Sequence, residues 1–190
     1  PHQSIELPPS QHAAVETAIR SLEQSNWEGL AIQLVGLDSR SKQLVARQVA
    51  ARLQLNLYRL PIELLPSQAN ELETLARLWH RESSLLPIAL YLDAHESDAP
   101  TSEGYAMPLY RFLTRSGGLI FVSSRESRQG VTQIDRTIDI NKPTSDEQRE
   151  LWTATLGATA GHYPGWLSSQ FNLNSFAISA IAQSALKGAE

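Results

Sequence analysis

The sequence predicts an α/β fold, in which a parallel sheet carries helices on both faces and is followed by a small all-helical subdomain. Short apolar runs alternate with helical patterns up to about residue 142. This alternation is typical of a parallel sheet, because parallel strands are joined by helical crossovers and are buried on both faces. After Pro143 only helical spacing remains. We therefore expect two parts, residues 1–142 and residues 143–190.

The composition excludes several classes of protein. The chain has 190 residues, 20 acidic and 16 basic side chains, a net charge of −4 and no cysteine. A disulfide scaffold, a thiolate metal site and a cysteine nucleophile are therefore excluded. The acidic balance favours neither nucleic acid nor membrane as a partner. No signal sequence and no apolar run near 18 residues is visible, so we expect a cytoplasmic protein.

Five segments are predicted to form strands. Three are short and mostly apolar runs, Leu55–Leu60 is a further candidate, and the last alternates between apolar and polar residues, as strands do. They are Leu30–Val35, Leu55–Leu60, Ile88–Leu92, Leu119–Val122 and Arg136–Ile140.

Helical spacing predicts the remaining elements. The first helix runs from Ser10, its expected N-cap, to about Gln24, and Thr144 with Glu147 forms a capping box for another. The four tryptophans lie beside apolar helical positions, so we expect them to pack. The other predicted helices are Lys42–Leu53, Gln68–Ser83, Tyr105–Thr114, Gly165–Phe171 and Ser175–Leu186.

The loop after the first strand is the first candidate site, because ligands bind at the carboxyl ends of strands in open α/β sheets. It begins GLDSRSKQ and follows the phosphate-loop pattern G-x-x-x-x-G-K-[ST] at Gly36 and Lys42. Ser41 replaces the second glycine, and Gln43 replaces the hydroxyl that ligates Mg²⁺. Asp38 adds a negative charge where an anion would bind. These departures predict weak phosphate binding at best.

Six residues of this loop are the nucleotide-binding candidates: Gly36, Ser39, Arg40, Ser41, Lys42 and Gln43. This motif alone leaves an alternative open. In that alternative Gly36 only ends a strand, and Lys42 is a solvated lysine in the first turn of a helix.

A second motif extends the comparison. Pro87–Glu96 reads PIALYLDAHE, an apolar strand that ends in an acid. With Gly36, Lys42, the intervening ARLWHRESSLLP and the closing FNLNSFAISAIAQSAL, the chain resembles an AAA+ ATPase module, a P-loop NTPase, over nearly its whole length. It is most similar to the divergent first module of bacterial proteins that carry two such modules. The helical tail would then be the lid subdomain of the family.

The resemblance implies roles for individual residues. Asp93 falls on the acid that coordinates Mg²⁺, and Ala94 stands where active members carry the glutamate that polarises water. Glu96, two residues further on, is a weak candidate for that base. Ser123 or Ser124 would be the residue that senses the γ-phosphate. The arginine-finger candidates are Arg125, Arg128 and Arg136.

The expected function is that of an AAA+ module with a degenerate ATP site, which binds ATP or ADP with Mg²⁺ weakly or not at all. Its partners would be a second AAA+ module of the same parent protein and neighbouring subunits of a ring. Two alternatives remain open. One is an active ATPase that uses Lys42, Asp93 and an unrecognised base, and the other is an interaction module without nucleotide.

Overall fold

The computed structural model describes residues 7–24, 29–94, 103–127, 134–157 and 160–187. These residues divide into two compact units. The larger unit is Ala14–Ile140, and the smaller one comprises residues 7–13 and 141–187.

The larger unit contains a five-stranded sheet. Its strands are β1 (Ala31–Val35), β2 (Asn56–Pro61), β3 (Ile88–Asp93), β4 (Leu119–Ser124) and β5 (Ile134–Asp139). All four pairings are parallel, and the strand order is β2-β3-β4-β1-β5. The predicted parallel α/β sheet is therefore confirmed. The last strand, β5, begins at Ile134, two residues before the predicted start at Arg136, because Ile134 already pairs with Ala31.

Seven helices accompany the sheet in the described residues. They are α1 (Pro9–Glu23), α2 (Ser39–Arg52), α3 (Ala69–Leu85), α4 (Glu103–Arg115), α5 (Ser145–Leu156), α6 (Tyr163–Gln170) and α7 (Ser175–Lys187). The prediction of Ser10 as an N-cap is wrong, because α1 already begins at Pro9, whose fixed φ and missing N–H suit the first helical position.

Helices cover both faces of the sheet. On one face, Leu90 and Leu92 of β3 and Val122 of β4 pack with buried residues of α3 and α4, including Leu72 and Phe112. On the other face lies α2, whose buried side is Val45, Ala46, Val49 and Ala50. Strands β1, β3 and β4 are buried along their whole length, as expected for strands covered on both sides.

The smaller unit contains α5, α6 and α7. Trp152, Ile178 and Ala182 form its core. The predicted capping box is confirmed: the Thr144 side chain accepts from the Glu147 amide, and Glu147 accepts from the Thr144 amide. Trp152 packs in the core, whereas Trp166 is 54% exposed and packs edge to face against the ring of Phe171.

Glu147 also binds Ser10. Its carboxylate accepts hydrogen bonds from the Ser10 amide at 2.6 Å and the Ser10 hydroxyl at 2.8 Å. Partial burial acts to raise the pKa of this carboxyl, but the hydrogen bonds from Ser10 and Thr144 outweigh it and lower the pKa below its ordinary value of 4.5. Ser10 therefore helps to hold the start of α5 as a partner of the capping box.

Candidate functional site

The strand order brings most of the predicted site residues to one edge of the sheet. Asp93 at the end of β3 lies opposite Ser123 of β4, and Ser124 lies opposite Val35 of β1. Gly36 follows Val35 directly. The residues singled out on three separate apolar runs therefore meet at the carboxyl ends of three adjacent strands, the position predicted for a ligand site.

The loop between β1 and α2 is short, because α2 begins at Ser39, three residues before the position that the periodicity predicted. Asp38 is the N-cap: its Oδ2 accepts from the Ser41 amide at 2.8 Å. Its carbonyl accepts from the Lys42 amide at 3.3 Å. An aspartate N-cap stabilises a helix by about 1 kcal/mol relative to alanine. Two amides that a phosphate loop would direct at a phosphate are thus bonded to Asp38.

Lys42 is fully buried. Its Nζ donates to the carbonyl oxygen of Ser124 at 2.5 Å, and the same oxygen accepts from the Gly36 amide at 3.1 Å. A buried ammonium requires hydrogen-bond acceptors, because burial removes its water. The alternative of a solvated Lys42 is therefore wrong, and the lysine instead ties α2 to the end of β4.

Gly36 has a structural reason to be glycine. Its φ is +151°, and a β carbon built there would lie 2.0 Å from the carbonyl oxygen of Ile140. Any side chain would therefore collide with the backbone that follows β5. The close approach of Ile140 is held by its amide, which donates to the Val35 carbonyl at 2.6 Å.

Asp93 is paired with Arg59, a residue that the sequence reasoning did not single out. Nε and Nη2 of Arg59 both donate to Asp93 Oδ2, at 3.0 and 2.7 Å. Arg59 lies on β2 in register with Tyr91, two residues before Asp93, so the two side chains share one face of the sheet. The arginine in a predicted strand was a visible signal, but the strand order is needed to place it beside Asp93.

Ser123 and Ser124 are both buried but differ in their partners. The Ser124 hydroxyl donates to the Glu126 carbonyl at 2.8 Å and accepts from Gln33 Nε2 at 2.8 Å. The hydroxyls of Ser123 and Tyr91 are buried and form no hydrogen bond of good geometry with the described residues. Burial raises the pKa of Tyr91 far above its usual value, and nearby Ser123 only partly offsets this effect. Tyr91 therefore stays neutral.

Among the remaining candidates, those that the structure describes add no base to this edge. Ala94 is buried, and its amide donates to the Ser123 carbonyl at 3.0 Å. Glu96 and Arg128 lie outside the described residues. Arg40, Arg125 and Arg136 are exposed. No group of three or more histidine, aspartate or glutamate side chains that would suit a metal ion occurs in the described ranges.

As arranged here, the residues at this edge do not fit a nucleoside triphosphate with its Mg²⁺. The amides of Ser41 and Lys42 are bonded to Asp38, the Lys42 ammonium is bonded to Ser124, and the Asp93 carboxylate is bonded to Arg59. These donors and this carboxylate are therefore already bonded within the chain.

Comparisons with known proteins agree with the fold. A family model described as the contractile injection system ATPase helical domain matches residues 144–190. The chain is similar to a solved structure described as the FIGL-1 AAA domain in complex with ADP, with a TM-score of 0.66 and 13% identity, over 98% of this chain and 72% of that one. No curated protein sequence matches significantly.

These findings establish an AAA+ ATPase-like fold, with a parallel α/β sheet and a helical subdomain, as the resemblance predicted. The structural likeness at 13% identity shows the fold alone. In all, 534 solved chains match significantly, so the fold by itself identifies no activity. Among the residues that the structure describes, no helix is long and apolar enough to span a membrane.

Proposed function

We propose that this AAA+ ATPase-like chain is a module with a degenerate ATP site, which binds nucleotide weakly or not at all and acts as a structural or regulatory part of a larger, oligomeric ATPase. One observation carries the proposal: the amides of Gly36, Ser41 and Lys42 and the Lys42 ammonium all donate to acceptors of this chain. These acceptors are the Asp38 carboxylate, the Asp38 carbonyl and the Ser124 carbonyl. A nucleotide would have to break these bonds before it gained its own.

The catalytic side of the site supports the same proposal. Loss of a positioned general base costs about 10²–10⁴-fold in rate, and Ala94 stands where the base would be. Phosphoryl transfer depends almost wholly on placed cations and Mg²⁺, yet Lys42 and Asp93 are engaged by Ser124 and Arg59. These losses together leave little rate for hydrolysis at this site.

The partners are proposed from the comparisons. The match of residues 144–190 to a helical domain of contractile injection system ATPases favours a parent ATPase of that type. Within it, we infer that a second AAA+ module of the same parent protein carries out hydrolysis. We also infer that the parent protein assembles with neighbouring subunits into a ring, in the cytoplasm. Such a module would use its fold, and not its own turnover, to hold the assembly together.

Calorimetric titration of the purified chain with ATP and ADP, with and without Mg²⁺, tests the nucleotide half of the proposal. Lys42→Met is the matched variant, because it removes the ammonium and keeps an unbranched apolar stem. The expected result is no binding heat up to millimolar nucleotide for either protein. Saturable Mg²⁺-dependent binding that is lost in Lys42→Met would overturn it, and turnover with the same dependence would establish the active ATPase instead.

The structural part of the proposal has to be tested in the assembled ATPase. In that assembly, Lys42→Met in this module should leave ATP turnover within about twofold of the original, since the lysine takes no part in catalysis. Trp152→Ala, which empties the core of the helical unit, should reduce assembly and turnover together, because large core truncations cost about 3–5 kcal/mol. A large loss of turnover in an intact Lys42→Met assembly would contradict the proposal.

A second candidate function, an interaction module that binds no nucleotide, is favoured by the surface of the smaller unit. Residues 151–186 contain no aspartate, glutamate, lysine or arginine. Tyr163, Trp166 and Phe171 are each about half exposed, and the rings of Trp166 and Phe171 meet edge to face at 6.5 Å. Exposed aromatic residues on an uncharged surface are typical of protein interfaces.

A further inference from the structure

Asp93 combines a buried carboxylate with a cation supplied by the neighbouring strand. Its side chain is only 9% exposed, whereas that of Arg59 is 55% exposed. Both donated hydrogen bonds end on the same oxygen, Oδ2. An ionised carboxylate oxygen accepts about two hydrogen bonds, so Arg59 fills the capacity of Oδ2. A metal ion at that oxygen would have to displace the guanidinium.

We propose that Arg59 is the resident cation of Asp93, so that the carboxylate is closed to divalent ions and the module is independent of Mg²⁺. The inference rests on the proposed function and deepens it, since it names the residue that disables the metal half of the site. The phosphate half is disabled separately, by Asp38 and the Ser124 carbonyl.

The geometry distinguishes this pair from an ordinary surface ion pair. Exposed pairs contribute little, because water solvates both partners well. Here one partner is nine-tenths buried, and a buried charge without a partner is strongly unfavourable. The pair is also fixed by the sheet, since β2 and β3 are hydrogen-bonded neighbours in continuous register from Asn56 to Pro61. The sheet thus holds Asp93 next to Arg59, whose guanidinium occupies Oδ2.

Binding of Mn²⁺, a paramagnetic stand-in for Mg²⁺ with the same preference for oxygen ligands, tests the proposal. Water-proton relaxation would be measured for the original chain, Arg59→Gln, Arg59→Lys and the double variant Arg59→Gln with Asp93→Asn. Arg59→Lys is the control that keeps the positive charge. In parallel, the unfolding temperature would be compared in MgCl₂ and in NaCl of equal ionic strength.

The expected result is Mn²⁺ binding at least about tenfold tighter in Arg59→Gln than in the original chain and in Arg59→Lys, since a guanidinium or ammonium beside the carboxylate repels a divalent ion. The double variant should lose the gain, which assigns it to Asp93. MgCl₂ should raise the unfolding temperature of Arg59→Gln alone.

Three results would overturn the inference: Mn²⁺ binding by Arg59→Gln no tighter than that of the original chain, the same gain in Arg59→Lys, or a gain that survives in the double variant. If Arg59→Gln fails to fold, the original chain still decides the matter, because Mn²⁺ bound there and lost in Asp93→Asn contradicts a closed carboxylate. Failure here leaves the titration with ATP unaffected, so the two proposals are tested separately.

Discussion

Gly36→Ala is expected to destabilise the larger unit strongly, for reasons unrelated to nucleotide. Its φ of +151° suits glycine, and an alanine there is strained by about 1–3 kcal/mol. The added β carbon would also lie 2.0 Å from the Ile140 carbonyl oxygen, so the backbone after β5 must move. Overpacking of this kind costs about 1–3 kcal/mol more. The two effects together amount to about 2–6 kcal/mol.

Gly29→Ala is the matched control in the same unit. Its φ is +85°, but a β carbon there would meet no atom within 4 Å, so only the strain remains. The extra loss for Gly36→Ala is therefore about 1–3 kcal/mol. At about 3 °C per kcal/mol, Gly36→Ala should unfold some 3–9 °C below Gly29→Ala in differential scanning calorimetry. Equal unfolding temperatures would refute the close approach of Ile140 as the reason for the glycine.

Three further outcomes are expected. Asp38→Ala should lose about 1 kcal/mol of unfolding free energy in urea and Asp38→Asn only a few tenths, since asparagine also caps helices; an equal loss in both would assign the effect to charge. The pKa of Glu147 is lowered by folding, so its contribution to the free energy of unfolding is present above pH 4.5 and is lost as the pH falls through the lower folded value. Glu147→Gln should therefore make the free energy of unfolding less dependent on pH in that range. An unchanged dependence on acid pH would contradict the hydrogen bonds from Ser10. Trp166→Ser should change stability by less than about 1 kcal/mol, against about 3–5 kcal/mol for Trp152→Ala; similar losses in urea unfolding would contradict the exposure of Trp166.

Strands β3 and β4 were predictable because strands buried on both faces contain few polar residues. Ile88–Leu92 and Leu119–Val122 lie within β3 and β4, and the capping box at Thr144 marked the start of α5 directly. Trp166 was not predictable in the same way. Helical spacing identifies an apolar side of a helix, but it does not tell whether another element covers that side.

The sequence showed that the loop from Gly36 to Lys42 departs from the phosphate-loop pattern, but it did not show which hydrogen bonds the loop forms. Ser41 and Ala94 indicated a weakened site, but Asp38 was interpreted only as a charge that repels anions. Its second property, that an aspartate before a helix accepts from the amide three residues on, predicts the closed loop. Arg59 required the strand order β2-β3, which no local pattern contains, because pairing between strands depends on the whole sheet.

Amide hydrogen exchange at Gly36, Ser41 and Lys42 tests most directly whether the loop is satisfied by its own chain. These three N–H groups donate to Ser124, to the Asp38 carboxylate and to the Asp38 carbonyl. They should therefore exchange slowly in the free protein, and millimolar ATP with Mg²⁺ should leave their rates unchanged. Rapid exchange in the free protein, with protection that appears only when nucleotide is added, would contradict the account and assign the loop to phosphate.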